Sequence, residues 1–265
     1  MHIPMHIELA RRSLLALAAG AVAACATTRV APRALTLDEV IRRNTRARGG
    51  AAALDRVRAL QVDVEIVEGG RTLNGRYTAN VAGMVRIDIY AGGANVYAEG
   101  VDGTGVWRWT GGSDPAQPST ATGAANALTN GAENHLFGWH RFAERGHALA
   151  LMPSQLIDGV TYPVVEARYS TGHVSYFYVD PVSWLAVRRR DERAYHPDND
   201  TTKQSVETRF SDFVAVDGVL AAHLNTDYDL GTDKVLSTNH TLARRINPPL
   251  AADYFDRDRR ASPSW

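Results

Sequence analysis

Residues 158–190 place apolar side chains on both faces of the same strands, and few folds can bury such a segment. Two strand-length runs, 162–169 and 173–179, meet at Ser170-Thr171-Gly172, and a third covers 184–189. Asp158-Gly159 and Asp180-Pro181 suit tight reversals at their outer ends. Side chains alternate with period two, so Val174, Tyr176 and Tyr178 share one face while Ser175, Phe177 and Val179 share the other. A sheet that is apolar on both sides needs its concave side covered, either by helices from other segments or by a bound apolar ligand. Arg188-Arg189-Arg190 reads as the solvated end of the third strand.

The remaining strands predict an antiparallel meander. Thr36-x-x-Glu39 is a capping box that opens a helix with Leu37, Val40 and Ile41 on one side. Gly49-Gly50 ends it, and a second short helix runs from 51 to about 60. From Gln61 the period becomes strand-like: Val62, Val64 and Ile66 alternate with Asp63 and Glu65, and Gly69-Gly70 turns the chain. Runs at 73–81, 85–89, 95–101 and 105–109 follow with connections too short for parallel crossovers. Trp107 and Trp109 share a face, placing two indoles in either a pocket wall or an ordinary core. A Gly, Pro, Ser and Thr loop at 111–122 leads into helical character over 124–145, interrupted by Gly131 and Gly138. Strands at 203–213, 223–230 and 235–243 complete the pattern, and residues 256–265 read as a frayed charged tail.

The first 25 residues carry an export signal. Arg11-Arg12 precedes an apolar run at 14–24, too short to span a bilayer as a mature helix but suited to a signal-peptide core. Val22-Ala23-Ala24-Cys25 resembles a bacterial lipobox, and Cys25 is the one cysteine in 265 residues, so no intrachain disulfide is available. The expected organisation is a signal peptide at 1–24, a tether at 25–35 from lipidated Cys25, a folded domain at 36–257 and a disordered tail at 258–265. The absence of an aspartate after Cys25 favours the outer membrane, facing the periplasm.

Chemistry-bearing motifs are sparse. A formal net charge of zero argues against nucleic acid as partner. His135, His140 and His147 lack the i, i+3 or i, i+4 spacing of a helical metal site and read as surface or interface histidines. Asp198-Asn199-Asp200 lacks the glycine and distal glutamate of a calcium loop. No G-x-S-x-G elbow is present, and Asp63, Glu65 and Asp88 have no spacing that separates acid–base work from a wetted sheet face. No catalytic residue, metal or cofactor is expected.

Arg48-Gly49-Gly50, Asp102-Gly103 with Trp107, Asp158-Gly159, the strand ending Tyr178-Val179-Asp180-Pro181, Asp217-Gly218-Val219 and Ile246-Asn247-Pro248-Pro249 occur in an order that resembles the outer-membrane lipoprotein-sorting or carrier-like family of LolA/LolB type. The family's Arg-Pro pair near Val85 is replaced here by Val81-Ala82-Gly83. The resemblance implies a mainly β, α+β fold: a strongly curved, incomplete antiparallel β-barrel with helices in or across its concave side and a cavity for acyl chains. Candidate cavity residues are Trp107, Trp109, Tyr176, Phe177, Tyr178 and Trp184, of which one alternating set faces inward. Leu128, Leu136, Phe137 and Phe142 are candidates for a gate. The expected function is binding of a lipid or an acylated protein. The alternative is a protein-interaction module, such as an envelope-stress sensor or assembly subunit, whose own helices fill the cavity.

Overall fold

A computed structural model describes residues 34–119, 122–195 and 200–259. The leader, Cys25, the tether up to residue 33, Asp198-Asn199 and the chain after Arg259 lie outside the described residues.

The chain opens with α1 (Leu37–Ala47) and α2 (Ala51–Asp55). Thr36 caps α1 as the sequence predicts, its hydroxyl accepting the Glu39 N–H at 3.3 Å. The second helix is shorter than expected because the chain is already extended by Ala59. Six strands follow: β1 (Ala59–Glu68), β2 (Arg71–Asn80), β3 (Val85–Ala91), β4 (Ala94–Asp102), β5 (Gly105–Trp109) and the short β6 (Gln117–Pro118). After α3 (Thr122–Leu136) and two 3-10 turns (Trp139–Arg141 and Ala143–Arg145) come β7 (Ala148–Ile157), β8 (Val160–Arg168) and β9 (Val174–Val179). The last four strands are β10 (Ala186–Ala194), β11 (Lys203–Val216), β12 (Val219–Asp229) and β13 (Lys234–Ile246).

All strands join one antiparallel sheet in the order β6-β5-β4-β3-β2-β1-β13-β12-β11-β10-β9-β8-β7. The sheet is not closed, and it forms the curved, incomplete barrel. Its topology explains the helix. The first half runs from the centre to the β6 edge, the second runs from the β7 edge back to the centre, and α3 lies on the connection between these edges. It crosses the concave side, packed on β1 to β4.

Three local readings are corrected. The strand β7 has no expected counterpart, because Pro153 breaks its pattern; the proline sits at the register shift between Met152 and Gln155 of this edge strand, where a ladder donor is dispensable. Arg188-Arg189-Arg190 lies within β10, not at a solvated end. Arg188 and Arg190 pair with buried Glu207 on one face, while Arg189 points to the other. Gly131 does not interrupt α3; the break comes at Gly138, where a β-carbon would lie 2.9 Å from Leu54 Cδ1.

The concave side holds two separate cores. One joins Leu54 and Val57 to Leu60, Val62, Val85 and the α3 residues Leu128, Ala132 and Leu136. The other joins Val40 of α1 with Trp139, Phe142, Val165, Phe177 and Val179. On the convex side, residues 250–259 strap the sheet. Tyr254 meets Gln61 and Thr78 at 3.0 Å, and Arg86 donates to the carbonyls of Asp256 (3.0 Å) and Arg259 (2.7 Å). The segment 256–259, expected to fray, is therefore bonded to the sheet.

Candidate functional site

The two concave cores sit on opposite wings of the sheet, and between them β11, β12 and β13 are only partly covered. A cavity of about 240 Å³ occupies this central position. Trp139, Phe177, Leu185, Phe210, Phe213 and Leu220 supply its apolar wall. Its polar wall includes Arg48, Arg189, Arg244, His135, Asn225 and Asp227. The expectation of an apolar cavity is thus corrected to an amphipathic one.

Local structure places each cation. Arg48 follows the last turn of α1, and its carbonyl accepts the Leu220 N–H at 3.0 Å, fastening the helix end to β12. Its side chain donates to the Phe137 carbonyl at 3.3 Å. Arg244 is on β13 beyond the register shift opposite Asp63/Val64, and its Nε is enclosed without a hydrogen-bond partner. Arg189 on β10 lies 3.2 Å from Asp191 and bonds the Thr208 hydroxyl at 3.1 Å. Asp227 is occupied by Arg193 at 3.2 Å and the Thr208 hydroxyl at 2.5 Å.

The electrostatics follow from this arrangement. Burial, with the charge of Arg244, pushes Arg48 down to about 10. Burial also pushes Arg244 to about 10. His135 projects from α3 into the cavity, wetted yet enclosed by the curved sheet. Enclosure by the sheet and the positive fields of Arg244, Arg189 and Arg48 push its pKa below the ordinary value. For Arg189 burial acts downward as well, but Asp191 and Asp227 outweigh it.

The sequence candidates separate by face. Phe177 lines the cavity, whereas Tyr176 and Tyr178 face the convex side, Tyr178 bonding Gln155 at 3.1 Å. Trp107 and Trp109, expected as cavity lining, are convex too. Directly opposed residues in antiparallel strands share a face. The row Gln61, Thr78, Arg86, Gly100, Trp107 is continuous across the sheet, opposite the row Val62, Tyr77, Ile87 that enters the concave core. Trp107 lies over Gly100, where a β-carbon would come within 2.8 Å of the indole. Trp184 packs beside the second core under Arg43, 4.3 Å from its ring centroid, and does not line the cavity. The gate candidates are core residues: Leu128 and Leu136 in the first core, Phe142 in the second, and Phe137 against both. From α3, the residues that reach the cavity are Gly131, Asn134 and His135.

Sequence reasoning missed Arg48, Arg189 and Arg244 as site residues. Arg48 stands in the quoted Arg48-Gly49-Gly50 motif, but nothing local marks a cation that folding will enclose. The histidines part company: His140 lies 2.9 Å from Asp55 and His147 3.1 Å from Glu133, while His135 enters the cavity. Among the described residues no group of three His, Cys, Asp or Glu is placed to hold a metal ion. Asp63 and Asp88 are ion-paired on the convex face, to Arg76 at 2.6 Å and Arg86 at 2.9 Å. No described helix is long and apolar enough to cross a membrane.

No protein-family model matches this chain, and neither does any curated protein sequence. Solved structures do. A LolA superfamily protein from Nitrosomonas europaea aligns with a TM-score of 0.54 at 12% identity, over 85% of this chain and 99% of that one. A DUF1329 family protein from Desulfovibrio piger aligns with a TM-score of 0.53 at 11% identity, over 84% and 98%. A protein domain named for outer membrane lipoprotein sorting, from Vibrio parahaemolyticus, gives 0.52 at 10% identity, over 82% and 95%. At these identities the likeness concerns architecture, and the architecture of this chain is the LolA-like fold.

Proposed function

We propose that this chain is a binding protein of the bacterial cell envelope, without enzymatic activity, whose central cavity receives the apolar part of an amphiphile. In this reading lipidated Cys25 holds the domain to the outer membrane on its periplasmic side. The observation that carries the proposal is the uncovered centre of the concave sheet. Helices fill both wings, yet an aromatic and aliphatic wall over β11 and β12 is left facing open space. One architectural neighbour is named for outer membrane lipoprotein sorting, and the lipobox at Cys25 fits an envelope location.

Size narrows the cargo. An apolar cavity of roughly 150 Å³ admits a benzene-sized guest, so about 240 Å³ suits a segment of a single chain. A multiply acylated lipoprotein needs more room. Each methylene buried contributes about 0.8 kcal/mol, so micromolar binding takes about ten buried methylenes or a further contribution from a polar head. The protein-interaction alternative required the concavity to be filled by the chain's own helices, and the open centre speaks against it.

The test uses the full chain as its Cys25→Ser form, titrated with a fluorescent fatty acid and then with unlabelled lipid as competitor. Saturable, displaceable binding is expected, and Ala222→Trp, which fills the cavity from β12, abolishes it. Binding that survives this substitution places the ligand elsewhere, and no binding by the parent chain removes the proposal.

A further inference from the structure

We propose that Arg48 and Arg244 form an anion subsite that takes the phosphate or carboxylate head of the bound amphiphile, leaving its tail on the aromatic wall of the same cavity. This rests on the amphiphile-binding reading and specifies its ligand.

The argument begins with how this chain treats its other enclosed arginines. Arg76 pairs with Asp63, Arg86 with Asp88, Arg145 with Glu133, Arg188 with Glu207, and both Arg189 and Arg193 with Asp191. Two arginines depart from this rule, and both line the cavity. Among the described residues neither Arg48 nor Arg244 has a carboxylate partner. Arg48 has one neutral acceptor, the Phe137 carbonyl, and the Arg244 Nε has none. Enclosed charge without a counter-charge is costly, and two such charges near each other are costlier.

The cavity does not relieve this from its own resources. Its carboxylate, Asp227, is already held by Arg193 and Thr208. The nearby Tyr77 hydroxyl, which feels the Arg244 charge, is another enclosed group without a hydrogen-bond partner. The ring of Tyr77 is 5.2 Å from that of His135, so hydroxyl, imidazole and two guanidinium groups border one region. Guanidinium groups bind phosphate and carboxylate through paired N–H donors, which suits an anionic head of either type. A free anion would use the same donors but would leave Phe210, Phe213 and Leu220 facing water.

The experiment is calorimetric titration of the full Cys25→Ser chain with dodecyl phosphate, with dodecanol of the same chain length, and with inorganic phosphate. Dodecyl phosphate is expected to bind at least about tenfold more tightly than dodecanol, the scale of a charge-assisted hydrogen bond. Arg48→Met and Arg244→Met should each bring the two ligands to within about threefold while dodecanol still binds. Two independent substitutions guard against one that fails to fold. Inorganic phosphate that does not displace dodecyl phosphate supports the amphiphile; phosphate that displaces it equally well overturns the amphiphile in favour of a free anion. Equal affinity of the parent chain for dodecyl phosphate and dodecanol overturns the subsite while leaving the amphiphile reading intact. If neither dodecyl ligand binds, both fall.

Discussion

Gly49 lies so close to Gly218 that a β-carbon on it would sit 1.9 Å from the Gly218 carbonyl oxygen. This contact presses the end of α1 onto the β11–β12 turn and sets Arg48 at the cavity wall. Gly49→Ala should therefore destabilise the fold by more than about 3 kcal/mol, combining positive-φ strain with a backbone collision. Gly50→Ala has open space around it and should cost only its conformational strain, about 1–3 kcal/mol. Urea denaturation of the two variants checks the order; equal losses would show that the contact is not what fixes the helix end.

Arg244 illustrates a conflict between stability and the proposed role. Removing an enclosed cation with no counter-charge should relieve a desolvation cost, so Arg244→Met is expected to stabilise the ligand-free chain by about 1 kcal/mol. For a domain of this size that corresponds to a rise in Tm of about 2–4 °C. A lower Tm by calorimetry would mean that the guanidinium already has a stabilising partner.

Acid should unfold the β9–β10 region through Asp191. Burial alone would raise the pKa of this carboxyl, but Arg189, His173 and Arg193 outweigh it and hold the group well below its ordinary value. A depressed folded-state pKa stabilises fully above the unfolded value near 4, and that contribution is lost as pH falls through the folded value. Asp191→Asn is expected to cost about 3 kcal/mol at pH 7, because it leaves enclosed arginines unpaired, and to flatten the decline of stability below pH 4. Thermal melts from pH 7 to pH 2 measure both effects.

His135 should report on the cavity directly. Arg48 beyond α1, Arg189 on β10 and Arg244 on β13 all face it, and together with its enclosure they push its pKa down. In the free chain its imidazole resonances should titrate below the ordinary value near 6.5. Adding dodecyl phosphate should raise its pKa by neutralising part of that field. An ordinary titration near 6.5 in the free chain would contradict the clustered cations.

The convex strap carries a separate expectation. Ending the chain at Ala252 removes Phe255, which is 5% exposed, together with the bonds from Tyr254 and the two carbonyls that receive Arg86. The loss should be about 3 kcal/mol or more, readable as a lower urea midpoint.

Much of the sheet is written in local pattern. The capping box at Thr36, the alternation around Val62 and the turn at Asp158-Gly159 each specify an element through nearby residues, and each is found. The face of Trp107 was not legible. Alternation shows that Trp107 and Trp109 share a face, but which face is concave depends on the register Arg86 to Gly100 to Trp107, a relation across three strands. Strand β7 was hidden because its proline is tolerated only at an edge irregularity, and edges are a property of the completed sheet. The site was the least legible part. Arg48 and Arg244 come from opposite ends of the domain and meet only because β13 returns to pair with β1 and the α1 end docks on β12.

Native mass spectrometry of the full Cys25→Ser chain, exported to the periplasm and purified without detergent, tests the central claim most directly. The account predicts a stoichiometric adduct whose solvent extract is a single-chain or short-chain anionic amphiphile, and which is missing from folded Ala222→Trp protein. A clean ligand-free mass, unchanged after incubation with envelope lipid extract, would contradict it.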